Sequence, residues 1–262
     1  MLKAQIEGDA PKTDVLLSFT AAMLVLYLGT WLRFHRIEAQ SLWYDEGNTA
    51  QMTSRVPWDI VRAAGADIHP PGYYLALTGW SRVVGNSEFA LRAFSAFAGI
   101  ALLGFLYSLG QKFWGSTGGL LAAFLGAVHP ALVYYSQEAR MYMLATVLGA
   151  ASVLLCGKLL GRCGICRNRK LCCAYMMVVA AGLYSHYTFS FVLVAINMAV
   201  LWRLWQSSTI NTGPEIMRWS ALQLGALILY VPWLPTAIRH LTTWPAARTQ
   251  MPLLEAGSEI WH

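Results

Sequence analysis

Two carboxylates stand side by side in Leu42-Trp43-Tyr44-Asp45-Glu46, just beyond the first apolar stretch of a charge-poor chain. A carboxylate placed so can take a proton from an attacking hydroxyl, and its neighbour can orient it. Further on, Asp67-Ile68-His69-Pro70-Pro71 sets an acid and an imidazole two residues apart. Pro70 keeps His69 out of helical geometry, while Pro71 suits a helix's first turn. Asp67 and His69 are therefore expected at the mouth of a helix over Pro70–Val84. A third polar group, Tyr134-Tyr135-Ser136-Gln137-Glu138-Ala139-Arg140-Met141-Tyr142, carries Glu138 and Arg140 at a spacing that does not pair them on a helix. The turn Tyr184-Ser185-His186-Tyr187 adds one more imidazole. Taken alone, Glu138 and Arg140 fit an ordinary solvated turn, and a lone histidine is more often structural than catalytic. The clusters gain meaning only if the fold brings them to one side.

The elements that must do this are membrane helices. Hydrophobic residues make up 56% of the 262 and charged residues 12%, with a mean hydropathy of +0.46. A soluble domain carries about 25% charged residues, so this chain cannot wet its surface as a soluble protein would. Uncharged runs at Val15–Leu32, Ala93–Gln111, Phe113–Gln137, Met141–Gly157 and Trp219–Ile238 approach the length that a bilayer demands. Leu171–Trp202, broken at His186, supplies two more. The fold class expected is all-α integral membrane. It has about seven transmembrane helices and a long first outer loop, 33–88, holding juxtamembrane helices. Pro70–Val84 is short, opens on Pro-Pro and contains Arg82, so it is read as one of these and not as a span.

The segments that lie inside if the N-terminus is inside (1–14, 111–116, 158–170 and 203–218) hold ten of the 19 lysines and arginines. That orientation puts all four polar clusters on the outer face. The N-terminal leader holds as many acids as a signal peptide's n-region should lack, and the first span is expected to stay as an anchor. The domain reading is a cytoplasmic 1–14, a transmembrane module over 15–238 and an outer C-terminal segment over 239–262. Cys156, Cys163, Cys166, Cys172 and Cys173 all fall at the inner face. A zinc knuckle is weighed there, but reduced thiols fit better, because Cys172 and Cys173 begin an apolar span.

The series LWYDE (Leu42–Glu46), DIHPPGYY (Asp67–Tyr74), SEFALR (Ser87–Arg92) and YYSQEARMY (Tyr134–Tyr142) resembles the C-type (GT-C fold) membrane glycosyltransferases. The closest likeness is to the bacterial branch similar to protein O-mannosyltransferases and aminoarabinose transferases, glycosyltransferase family 39 and its relatives. The resemblance implies transfer of a sugar from a polyprenyl-phosphate donor to a lipid, glycan or protein acceptor hydroxyl. The reaction is expected to be inverting and hexosyltransferase-like. Its site would face outward from the cytoplasmic (inner) membrane, in contact with membrane lipids and with no nucleic acid partner.

By motif match the general base is Asp45, assisted by Glu46. Arg140, Arg92, His69 and His186 are the groups that would hold the phosphate, and Glu138 occupies the family's second acidic position. Asp67 would orient His69. A divalent metal ion is a further expectation, with Asp67 and Glu138 as its candidate ligands, and no organic cofactor is expected. Departures stand beside the match: Ile68-His69 replaces the Glu-Lys of some aminoarabinose-type relatives, and the second acidic motif has one carboxylate where others have two. The C-terminal segment is also short for the family. The alternative reading is therefore a truncated inactive relative or a non-catalytic carrier of lipid-linked sugars.

Overall fold

The computed structural model describes residues 12–161, 164–165, 168–207 and 212–247. They form eleven helices and one two-residue antiparallel ladder. Helix α1 (Lys12–Phe34) is followed by three short helices, α2 (Tyr44–Thr53), α3 (Pro57–Ala66) and α4 (Gly72–Val84). Next come α5 (Glu88–Val128), α6 (Pro130–Ser136) and α7 (Tyr142–Leu159). The ladder pairs β1 (Leu160–Gly161) with β2 (Gly164–Ile165). The chain then runs through α8 (Arg169–Ser185), α9 (Phe189–Gln206), α10 (Thr212–Tyr230) and α11 (Leu234–Ala247).

This is an all-helical membrane protein. Segments Leu16–Phe34, Glu88–Val128, Tyr142–Leu159 and Phe189–Gln206 are long and apolar enough to cross a bilayer, and α10 with the bent α11 makes a possible fifth crossing. The count differs from the expected seven for two physical reasons. Helix α8 has only 17 residues and opens on Arg169 and Lys170. Helix α5, at 41 residues, would be roughly 60 Å long if straight, twice a bilayer core. It is not straight. Trp114 leaves helical geometry and Gly115 adopts φ +69°, a left-handed conformation that glycine accepts without strain. The two arms fold back on each other so closely that a Cβ on Gly110 would lie 2.5 Å from the Gly118 carbonyl. The runs Ala93–Gln111 and Phe113–Gln137 thus correspond to the arms of one hairpin, with α6 continuing the second.

The expected break at His186 separates α8 from α9. The last apolar run needs correction: its helix begins at Thr212, not Trp219, and stops at Tyr230, not Ile238. Pro232, which lacks an N–H, sits in the turn, and α11 leaves at 83° to α10. Cys163 and Cys166 of the weighed zinc knuckle lie outside the described residues.

Two buried clusters organise the bundle. One packs α8, α9 and α10 through Tyr175, Val179, Phe189, Val200, Leu204 and Trp219. The other packs α3, α4, the start of α5 and α11 through Ile60, Tyr73, Leu77, Leu91, Trp233 and Ala237. The second cluster includes Ala139 and Met141, so the turn after α6 is part of a core and not a solvated loop. Arg33, assigned by the sequence to the outer loop, is instead wholly buried. It donates to Gly29, Gly126 and Ala127 carbonyls, closing the last turn of α5 against α1. Leu17, Phe19, Phe191, Met198 and Ile228 are exposed, as residues facing lipid would be.

Candidate active site

Asp45 and Glu46 both lie in the first turn of α2, where the helix dipole favours acids. Adjacent helix positions point roughly 100° apart, and here one points inward and the other to the rim. Glu46 is completely buried. Arg92, on the first turn of α5, grips it twice, Nε to Oε1 at 2.9 Å and Nη2 to Oε2 at 2.6 Å. The Ala139 N–H donates to Oε1 at 2.8 Å, and the Trp43 N–H donates to Oε2 at 3.4 Å. The remaining Arg92 donors go to the carbonyls of Ile37 at 2.8 Å, Gln40 at 2.7 Å and Ser41 at 3.3 Å. All five guanidinium N–H groups are then spoken for. Arg92, expected at the phosphate, has no donor left to offer one; it ties residues 37–46 and 139 to α5.

Asp45 differs. Its side chain is 35% exposed, and its partner Arg140 reaches Oδ2 from 3.5 Å. Arg140 also donates to the Asp45 carbonyl at 3.3 Å and to Thr49 Oγ1 at 3.5 Å. Its guanidinium lies 5.9 Å from the Tyr142 ring centroid. Its bonds to Asp45 and Thr49 are long, the Tyr74 and Tyr142 hydroxyls stand beside it, and among the described residues its buried Nε has no hydrogen-bond partner. An arginine only 5% exposed with an unmatched Nε keeps a donor in reserve.

The other clusters extend from this arginine. His69 Nδ1 lies 3.2 Å from Asp67 Oδ2, and that contact holds the Asp67 carboxyl below the usual carboxylate range. The His69 ring is 6.1 Å from that of His186, which is 5.6 Å from that of Tyr142. Asp45, Arg140, Tyr142, His186, His69 and Asp67 thus form one continuous arc. His186 Nδ1 accepts from the Thr188 N–H at 3.1 Å and meets Thr188 Oγ1 at 2.7 Å, which leaves its proton on Nε2. Burial, with His69 and Arg140 nearby, pushes its pKa down to about 4. His186 is a neutral donor, not a cation.

Glu138 faces the other way. It lines a cavity of about 570 Å³ with Trp43, Gln40, Tyr134, Gln137 and the Glu46–Arg92 pair. Burial raises its carboxyl above the usual range, and a hydrogen bond to Tyr134 opposes that rise. Glu138 and Asp67, the two candidate metal ligands, therefore have different neighbours. Among the described residues no three His, Cys, Asp or Glu side chains converge as a ligand set. A hard divalent cation asks for several oxygen ligands together, and this arrangement does not fit one. Neither Tyr142 nor Thr49 was expected at the site; Tyr142 lies within the YYSQEARMY motif, whereas nothing in the sequence marks Thr49.

A buried acid–arginine knot lies beneath an arc of acid, arginine and imidazoles at one end of an apolar helical bundle, and the family match makes the chain a membrane glycosyltransferase. The family described as Dolichyl-phosphate-mannose-protein mannosyltransferase matches residues 68–235, well over half the chain, and the protein belongs to it. No curated protein and no solved structure matches. The matched stretch contains His69, Arg92, Glu138, Arg140 and His186 but starts after Asp45, Glu46 and Asp67. Geometry joins those three to it: Glu46 to Arg92 and Ala139, Asp45 to Arg140, and Asp67 to His69.

Proposed function

We propose that the protein transfers a sugar from a polyprenyl-phosphate carrier to an acceptor hydroxyl, with inversion, on the outer face of the cytoplasmic membrane. The bundle crosses seven times, counting the two arms of α5 and helix α8 as crossings. The observation that carries the reading is Arg140: a buried cation with long contacts and an unpartnered Nε, beside a half-exposed carboxylate. An anionic phosphate would complete it with short charge-assisted bonds.

Asp45, beside Arg140, accepts the acceptor's hydroxyl proton. The acceptor oxygen then forms its bond to the anomeric carbon from the face opposite the phosphate. The bond from that carbon to the phosphate oxygen breaks, and its electron pair leaves with the polyprenyl phosphate. Arg140 and the Nε2–H of neutral His186 stabilise the departing negative charge, with His69 beside them. No step runs through a metal ion. A cavity of about 280 Å³ between α7 and α9 suits the donor, because Tyr142, His186 and Thr188 line it together with apolar Ala145, Phe189 and Val192.

The test is a panel of radiolabelled polyprenyl-phosphate hexoses offered to membranes containing the protein. Transfer from at least one of them is expected, and Arg140→Lys should lower it roughly tenfold to a hundredfold, since an ammonium cannot reproduce the planar fork. No transfer from any donor, with no polyprenyl-phosphate binding by the purified protein, would contradict the reading.

A further inference from the structure

Helix α11 lies beyond most of the family match, yet it holds the candidate site from behind. Ala237 and His240 on it, and Trp233 just before it, are buried at helical spacing, Trp233 and Ala237 among residues of α3 and α4, while Ile238 and Leu241 face outward. The last carbonyls of α3 lack helical partners. Those of Ala63 and Ala64 accept from the Asp67 N–H. That of Gly65 accepts from α11 instead, from His240 Nε2 at 3.1 Å and from Arg239.

The other imidazole nitrogen continues the chain. With Nε2 donating to Gly65, His240 Nδ1 must accept, and it lies 2.8 Å from the Tyr187 hydroxyl. That hydroxyl accepts from Trp233 Nε1 at 3.2 Å. Donors therefore run one way, Trp233 to Tyr187 to His240 to Gly65. Its two anchor points are not arbitrary: Gly65 precedes Asp67 by two residues, and Tyr187 adjoins His186. The two segments that bring His69 and His186 rings to 6.1 Å are thus tied to a single helix.

We infer that α11 is a strap whose Tyr187–His240–Gly65 bonds set the spacing of the Asp67-His69 and His186 segments around the donor phosphate. Tyr187 and His240 are positioning residues, since neither belongs to the arc itself. The phosphate part of this inference rests on the proposed function, and the strap itself does not.

The experiment uses the full chain in lipid nanodiscs, with Tyr187→Phe, His240→Ala and His240→Gln. Hydrogen–deuterium exchange across residues 65–72 should speed up severalfold in the first two, with α1 and α5 unchanged. His240→Gln retains a donor toward Gly65 and should restore most of the protection. Polyprenyl phosphate should bind about fivefold to tenfold more weakly to His240→Ala, the scale of one lost hydrogen bond. His240→Ala should weaken binding no further in a His69→Ala background, because both act through one segment. Unchanged exchange at 65–72, or additive losses in the double variant, would overturn the strap. A wild-type protein that fails to bind polyprenyl phosphate would overturn the reading of the site instead, leaving the exchange result to judge the strap.

Discussion

The two arginines that meet the acid pair are held in opposite ways. Arg92 places five donors on five acceptors and encloses Glu46, which also takes the Ala139 N–H. Arg140 touches Asp45 and Thr49 at 3.3–3.5 Å and keeps a buried Nε without a partner among the described residues. Both arginines are buried, and both acids sit in one helical turn. The difference teaches how to separate structure from site in such an end. A buried ion pair with every lone pair and proton matched has nothing to give a substrate, and removing one partner leaves an uncompensated charge. A buried cation with slack contacts costs stability as it stands, and an anionic ligand relieves that cost. Arg33 also has an unmatched Nε, but its other nitrogens are committed to three carbonyls, two of them at the end of α5, and no acid among the described residues pairs with it.

Breaking the knot should have the largest effect. Arg92→Met leaves Glu46 buried and unpaired and should cost roughly 3–5 kcal/mol, read as lost thermal stability in detergent or as loss of folded protein. Glu46→Gln should lower stability in the same direction, because its amide would set a donor against Arg92. If either variant melts like wild type but loses transfer, Glu46 belongs to the chemistry and the contrast between the two acids collapses.

Loosening the arc should do the reverse. His69→Ala should lower donor affinity by about tenfold while the melting temperature stays near wild type, since among the described residues its hydrogen bond is to Asp67, in a partly exposed pair.

The smallest effect concerns pH. His186 titrates near 4 in the folded protein, against about 6.5 in an unfolded chain. Between those values the unfolded state binds the extra proton, so stability is full above about 6.5 and falls as pH drops toward 4. Thermal melts in that window should fall by a few degrees more in wild type than in His186→Gln. Equal slopes would mean that His186 is not held neutral.

Much of the frame could be read from composition and pattern. The apolar runs became helices and Lys112 with Trp114-Gly115 separated two arms, whereas the helix expected over Pro70–Val84 starts at Gly72, with Pro71 as its N-cap and not in its first turn. The polar clusters were found by residue type, and five of the eight named site residues fall on one arc. What could not be read is direction. Nothing local distinguishes Asp45 from Glu46, because burial depends on Arg92, 46 residues away, and on the Ala139 N–H, 93 away. The same holds for Arg92, whose exposed-looking motif hides five internal acceptors. Glu138 and Arg140 are two residues apart, and only the packing of Ala139 and Met141 into the core sends Glu138 to the larger cavity and Arg140 to Asp45. His240 carried no signal: it sits past the last apolar run, and its partners are Tyr187 and Gly65, 53 and 175 residues away.

In the proposed reaction Asp45 is the base and Glu46 is not. The most direct measurement is sugar transfer by Asp45→Asn and wild-type membranes matched for folded protein. A loss of about a hundredfold to ten-thousandfold is expected, with an unchanged melting temperature and retained polyprenyl-phosphate binding. Transfer by Asp45→Asn at the wild-type rate would contradict it.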